Sequence, residues 1–244
     1  MKRAFVLVIT FLFFSTAVRA QAIQEENTKL PIKFEQSTEV FAGFNTLQDY
    51  EPSLFSASGK YDIWGPRFAA SGGLFLEMGD TQVTLSATYK FFKHEKISLA
   101  TGIIYNLNWL HEFSLTHNFL PCFYLEWTPV PFYTLELSCD LLFKLRYLFV
   151  FGLNSHPLTN ITMAAYIKST FRLPKDFLLY VTLSSIEYFR YMIFCAPSFI
   201  IGLEYTINDS FDVGLETAIR YIDFFTLSSH YADADIRLGV RYKW

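Results

Sequence analysis

Ile236-Arg237-Leu238-Gly239-Val240-Arg241-Tyr242-Lys243-Trp244 is the stretch whose reading decides the fold. Counted back from Trp244, every second residue as far as Ala232 is apolar or Ala, while Lys243, Arg241, Arg237, Asp235 and Asp233 fall on the opposite face. A period of two puts alternate side chains on opposite faces of a β-strand. One face of this strand is therefore apolar and the other charged.

The same alternation extends upstream to residue 34, and no long segment carries helical spacing. Strands are expected near 34–45, 54–64, 67–78, 81–91, 96–109, 119–128, 132–149, 160–172, 177–187, 195–207, 211–222 and 232–244. The second rests only on Phe55, Ala57, Gly59, Tyr61 and Ile63. Between Tyr133 and Tyr147, odd positions are apolar or aromatic apart from Cys139, while Glu136, Ser138, Asp140, Lys144 and Arg146 face the other way. Strands of soluble sandwiches run to ~5–6 residues and transmembrane strands to ~9–11, so these are long enough to cross a membrane.

With both ends of this region on one side, the turns on that side are Gly65-Pro66, Phe92 to Glu95, Pro129 to Pro131, Pro174 to Asp176 and Asn208 to Ser210, all short. Removing the second strand would place the long segment 46–66 among them. The count is thus about twelve strands, with ten as the alternative. The fold class is all-β: a transmembrane antiparallel up-and-down barrel over residues 34–244. A lipocalin-like barrel would turn the apolar stripe inward instead, which strand length disfavours. Aromatics at strand ends agree with the membrane arrangement. Phe91, Trp127, Tyr133, Phe171, Phe177, Tyr205, Phe211, Tyr242 and Trp244 would girdle one interface, and Trp109, Phe119, Tyr147 and Tyr221 the other.

The terminal aromatic, the aromatic two residues before it and the apolar alternation resemble the C-terminal signal of bacterial outer-membrane barrels. The resemblance implies that Tyr242 and Trp244 form an assembly signal read by the barrel-assembly machinery, in an outer membrane whose lipids contact the barrel wall. Lys2 and Arg3, the uncharged run from Ala4 to Val18 and the small residues Ala20 and Ala22 read as a signal peptide over 1–20, followed by a short periplasmic lead over 21–33. The apolar run falls short of the ~20 residues of a spanning helix.

Composition points the same way. The chain is 52% hydrophobic and 19% aromatic, with 27 Phe, more aromatic surface than a soluble domain needs. A net charge of −3 without a basic stripe argues against nucleic acid as a partner. Three cysteines without metal-like spacing, Cys122, Cys139 and Cys195, suggest isolated thiols, and no cofactor or metal is expected.

On this reading the charged strand face lines a lumen. The expected lining includes Glu136, Asp140, Lys144, Arg146, Lys168, Arg172, Asp212, Glu216, Arg220, Asp233, Arg237 and Arg241. Acids and bases are nearly balanced, unlike the one-sign rings of strongly ion-selective pores. A hairpin of the last two strands whose facing residue numbers sum to 453 would set Asp212 against Arg241, Glu216 against Arg237 and Arg220 against Asp233. A sum of 308 for 132–149 with 160–172 would set Glu136 against Arg172 and Asp140 against Lys168. Opposite charges across a ladder contribute ~0.2–1 kcal/mol each and help fix register.

The expected function is a narrow passive channel for small hydrophilic solutes. The alternatives are a non-conducting structural or adhesive barrel and an outer-membrane lipid hydrolase. The hydrolase would need Ser activated by an oriented His near the outer rim. His111, His117, His156 and His230 fall in expected outer loops and His94 in an inner turn, but Ser155-His156 and Ser229-His230 are adjacent pairs, and no His-x-Ser occurs. The chain is read as a non-enzyme. The apolar segment from Tyr188 to Phe194 is expected to extend its flanking strands or fold over the rim.

Overall fold

The structure, a computed structural model, describes residues 34–47, 54–77, 80–110, 114–148, 158–184, 198–221 and 231–244. The expected signal peptide and lead, the segment 188–194, Cys195, and His111, His156 and His230 lie outside these residues. Twelve strands follow in order: β1 (Glu35–Leu47), β2 (Leu54–Trp64), β3 (Phe68–Glu77), β4 (Asp80–Lys93), β5 (Ile97–Leu110), β6 (Ser114–Val130), β7 (Tyr133–Leu148), β8 (Leu158–Leu173), β9 (Phe177–Ser184), β10 (Ser198–Asn208), β11 (Phe211–Tyr221) and β12 (Tyr231–Lys243). Each pairs antiparallel with its neighbours in sequence, and β1 pairs with β12 to close the barrel. The doubtful second strand is present, and ten strands is excluded.

Alternation sorts the side chains as the sequence implies. Val40, Phe44, Leu85, Ile103, Leu141, Ile161, Leu203 and Leu238 stand exposed around the outer wall, whereas Glu39, Asp140, Asp212 and Asp235 are buried. Exposed aliphatics around the whole circumference with buried carboxylates inside invert the arrangement of a water-soluble domain. An 11-residue strand tilted by ~40° rises about 28 Å, enough for an apolar band of ~25 Å.

The aromatic girdle at the turn end consists of cross-strand ring pairs. Tyr133 and Phe171 lie 5.0 Å apart between centroids, Phe177 and Tyr205 4.8 Å, and Phe211 and Tyr242 4.9 Å, with Trp244 5.1 Å beyond Tyr242. At the opposite end Tyr105, His117, Phe119 and Tyr147 form a second ring cluster.

Two expectations need correction. The loop placed at 110–118 is shorter, because β6 begins at Ser114, and His117 is a strand residue hydrogen-bonded to the Tyr105 hydroxyl at 2.9 Å. His117 and Pro121 on the outward face disguise the strand. Pro121 does leave a gap: β6 and β7 are in register from Ser114 to Phe119 and again from Tyr124, with no pairing over 120–123. Proline has no N–H to give a ladder. Asp140 of β7 mends the gap, accepting the Phe123 N–H at Oδ1 (3.0 Å) and the Ser138 hydroxyl at Oδ2 (2.6 Å).

The second correction concerns β7 and β8, whose facing numbers sum to 304, not 308. Glu136 stands opposite Lys168, and Asp140 opposite Ala164. The two registers differ by four residues, so both keep every side chain on its proper face, and alternation does not separate them. Tyr133 over Phe171 fits only the observed one. The β11–β12 hairpin has the expected register, with Asp212 opposite Arg241, Glu216 opposite Arg237 and Arg220 opposite Asp233.

Candidate functional site

Twelve strands ~4.8 Å apart and tilted by ~40° enclose a backbone cylinder of about 12 Å radius. Long side chains from strands a quarter of the circumference apart can nearly meet inside it. The Arg237 guanidinium of β12 reaches to 5.9 Å from the ring centre of Phe75 on β3.

At the turn end the interior opens into a vestibule of about 620 Å³, lined by charged residues that include Glu35, Lys60, Asp62, Glu204, Asp212, Arg241 and Lys243. Its electrostatic centre is Arg241. One guanidinium nitrogen meets Glu204 at 2.9 Å and Asp212 at 3.6 Å, and the other meets Glu39 at 2.8 Å. Lys243 takes the other oxygen of Asp212 at 2.7 Å, and Lys60 holds Asp62 at 2.9 Å. Four strands, β1, β10, β11 and β12, are thereby tied through one side chain. Deeper in, Arg237 bridges Glu216 at 3.2 Å and Asp235, whose side chain is 1% exposed. Glu216 also accepts the Tyr180 hydroxyl at 2.7 Å. Tyr180 lies flat over Gly202 across β9 and β10, where an added Cβ would come within 2.0 Å of the ring.

On the facing wall Lys90 bonds Glu126 at 3.0 Å, and Glu126 stands directly opposite Glu136. Lys168, across from Glu136, sits 5.0 Å above the Tyr180 ring. Arg172 is exposed at the turn rim. Arg220 and Asp233 face one another in register, but their side chains lie outside the described set. Asp140 belongs to the wall itself, as a substitute ladder acceptor, and Lys144 and Arg146 lie further toward the loop end.

At mid-depth the inner face changes character. Leu120, Cys122, Leu142 and Ala164 form one buried cluster, and Tyr180, Ile200 and Ala218 another. Beyond the first cluster, toward the loop end, the lining contributed by β4, β5 and β6 is neutral and polar: Asn118 donates to Asn106 at 3.2 Å, and Asn106 to Thr84 at 2.9 Å.

Sequence reasoning overlooked Glu39, Lys60 and the inward asparagines. It also overlooked Gln36, whose side-chain oxygen accepts both the Tyr61 hydroxyl at 2.6 Å and the Trp244 indole N–H at 2.9 Å. Trp244 thus belongs to the seam between β12 and β1 as well as to the girdle.

The fold is shared with known outer-membrane barrels. NanC porin superposes with a TM-score of 0.64 at 14% identity, over 85% of this chain and 100% of that one. KdgM porin, solved in complex with disordered oligogalacturonate, gives 0.56 at 11% identity over 85% and 99%. The chain has the fold of an outer-membrane porin-like barrel. Outer membrane phospholipase A from Escherichia coli also shares it, with a TM-score of 0.51 at 10% identity over 84% and 89%. No family model matches the chain, and no curated protein is similar to it. A barrel with this outer wall resides in the bacterial outer membrane, where closed antiparallel sheets meet lipid without an unpaired edge.

Proposed function

We propose that the protein is a narrow passive channel for small hydrophilic solutes. The observation that carries this reading is the charged vestibule inside the barrel, a water-compatible space about 620 Å³ in volume bounded by a wall whose outside is apolar. The buried apolar clusters at mid-depth leave little room inside the barrel for large hydrated solutes, since apolar constrictions act as barriers by dewetting. The porins among the structural neighbours support the same reading, as does the near balance of acids and bases, which suits weak ionic preference.

Purified protein in planar bilayers should pass small, weakly selective currents. Replacing Arg237, which lies between Glu216 and Asp235, should move the reversal potential toward cations, more in R237E than in R237Q. The shift should fade in concentrated salt, where the Debye length falls to about 3 Å at 1 M. A folded wild-type barrel that passes no current, with liposomes that exclude small sugars and amino acids, would sink the channel and leave a structural or adhesive barrel.

Export and insertion follow the same proposal. The N-terminal segment acts as a signal peptide cleaved after Ala20 or Ala22, so the mature chain begins at Gln21 or Ile23. N-terminal sequencing that found Met1 on the outer-membrane form would overturn this. The assembly machinery reads the Tyr242 and Trp244 pair.

A further inference from the structure

Inside the barrel, beyond the turn rim, cations are matched with acids almost throughout. Lys60 has Asp62, Lys90 has Glu126, Arg237 has Glu216, Arg241 has Glu39 and Glu204, and Lys243 has Asp212. Lys168 stands across from Glu136. Among described residues, the exception is Lys144 with Arg146, two residues apart on the inner face of β7 in its loop-side half.

Neither flanking strand offers them an acid. Across from Lys144 are Asn118 on β6 and Asn160 on β8, and across from Arg146 are Thr116 and Leu158. Asp140, the nearest carboxylate along β7, has an oxygen on the Phe123 N–H and the other on the Ser138 hydroxyl. Arg146 makes a neutral bond, to the Ser114 hydroxyl at 3.1 Å, and its Nε is buried with no partner. Around the pair, buried amides have hydrogen-bonding capacity to spare: Asn118 is 0% exposed with Oδ1 unused, and Asn108 is 3% exposed with Nδ2 unused.

Two half-buried like charges without a counter-ion destabilise a fold unless something else neutralises them. Unsatisfied buried amides in the same place call for the same explanation. We propose that Lys144 and Arg146 form an anion subsite in the loop-side half of the lumen, which takes the carboxylate of a small hydroxylated solute. The ammonium and guanidinium supply charge-assisted donors to the carboxylate. The amides behind them supply a neutral donor and an acceptor for adjoining hydroxyls. The role of this site in transport rests on the channel reading, whereas binding itself does not.

The test uses full-length protein refolded in detergent, with gluconate as probe and sorbitol as its uncharged counterpart, followed by titration calorimetry at low salt. Wild type should bind gluconate in the millimolar range and not bind sorbitol. The double variant K144Q/R146Q, checked for folding by heat-modifiable mobility, should bind gluconate about tenfold more weakly. The charge-preserving K144R should stay close to wild type. Equal gluconate affinity in wild type and the double variant, or no gluconate binding to wild type, overturns the subsite. A wild type that conducts but does not bind gluconate removes the subsite and spares the channel. One that binds gluconate but passes no current does the reverse.

Discussion

Replacing Arg241 by Gln should cost about 3 kcal/mol of stability, toward the lower end of the ~3–5 kcal/mol for breaking a buried ion pair. The side chain holds Glu39 at 2.8 Å, Glu204 at 2.9 Å and Asp212 at 3.6 Å, and Lys243 remains to serve Asp212 alone. Glu39 and Glu204 would then share a site whose nearest remaining cation, Lys60 across from Glu39, is already paired with Asp62. A unit pair at 4 Å is worth about 4 kcal/mol at an effective dielectric of 20, and vestibule water around a side chain 26% exposed reduces that figure. The lost guanidinium also removes a fork that bonds both oxygens of Glu204, so R241K should recover only part of the loss. Reversible urea unfolding in lipid vesicles, followed by tryptophan fluorescence, gives the numbers. If uncompensated carboxylate charge causes the loss, E39Q should partly rescue R241Q while destabilising the wild-type background. An R241Q variant within about 1 kcal/mol of wild type, or E39Q and R241Q losses that simply add, would refute the reasoning.

Three further outcomes follow from the wall. D140A should lower stability by about 1–3 kcal/mol by stranding the Phe123 N–H beside Pro121, and D140N, which keeps an acceptor, by less; the same urea assay would show equal losses if the carboxylate does not serve the ladder. G202A should cost about 1–3 kcal/mol by lifting Tyr180 off the backbone and away from Glu216, and Y180A in the G202A background should add little if that clash is the cause. Deleting Trp244 should reduce the heat-modifiable band in outer-membrane fractions, through the lost bonds to Gln36 and the loss of the proposed assembly signal; normal accumulation would discount both.

What could be read in advance depended on how many independent constraints met at each place. The β11–β12 register was legible despite a long connection, because three opposite-charge pairs agree on one sum. For β7 and β8 only two acids had to be matched, and Asp140 bonds β6 instead, so charge matching settled four residues away from the true register. Glu39 was overlooked as the partner of Arg241 because no turn joins β1 to β12, and nothing local sets their alignment. Neutral asparagines carry no sign to match. The inward apolar clusters left a trace in the unbroken runs Leu141-Leu142-Phe143 and Phe199-Ile200-Ile201, where alternation does not distinguish the inner face from the outer.

The bonds across the β1–β12 seam join residues far apart in the chain: 208 positions for Gln36 and Trp244, 202 for Glu39 and Arg241. Closing a loop of roughly 200 residues costs on the order of 5 kcal/mol of chain entropy before any seam contact forms. Until β12 docks, β1 and β11 each present a raw edge able to capture a strand from another chain. Docking removes both edges at once. The same step delivers Arg241 to Glu39, so the vestibule acquires its final charge pattern only when the wall becomes continuous. An incompletely wound barrel is therefore unsealed toward lipid and electrostatically unlike the finished one, and a single late event cures both defects.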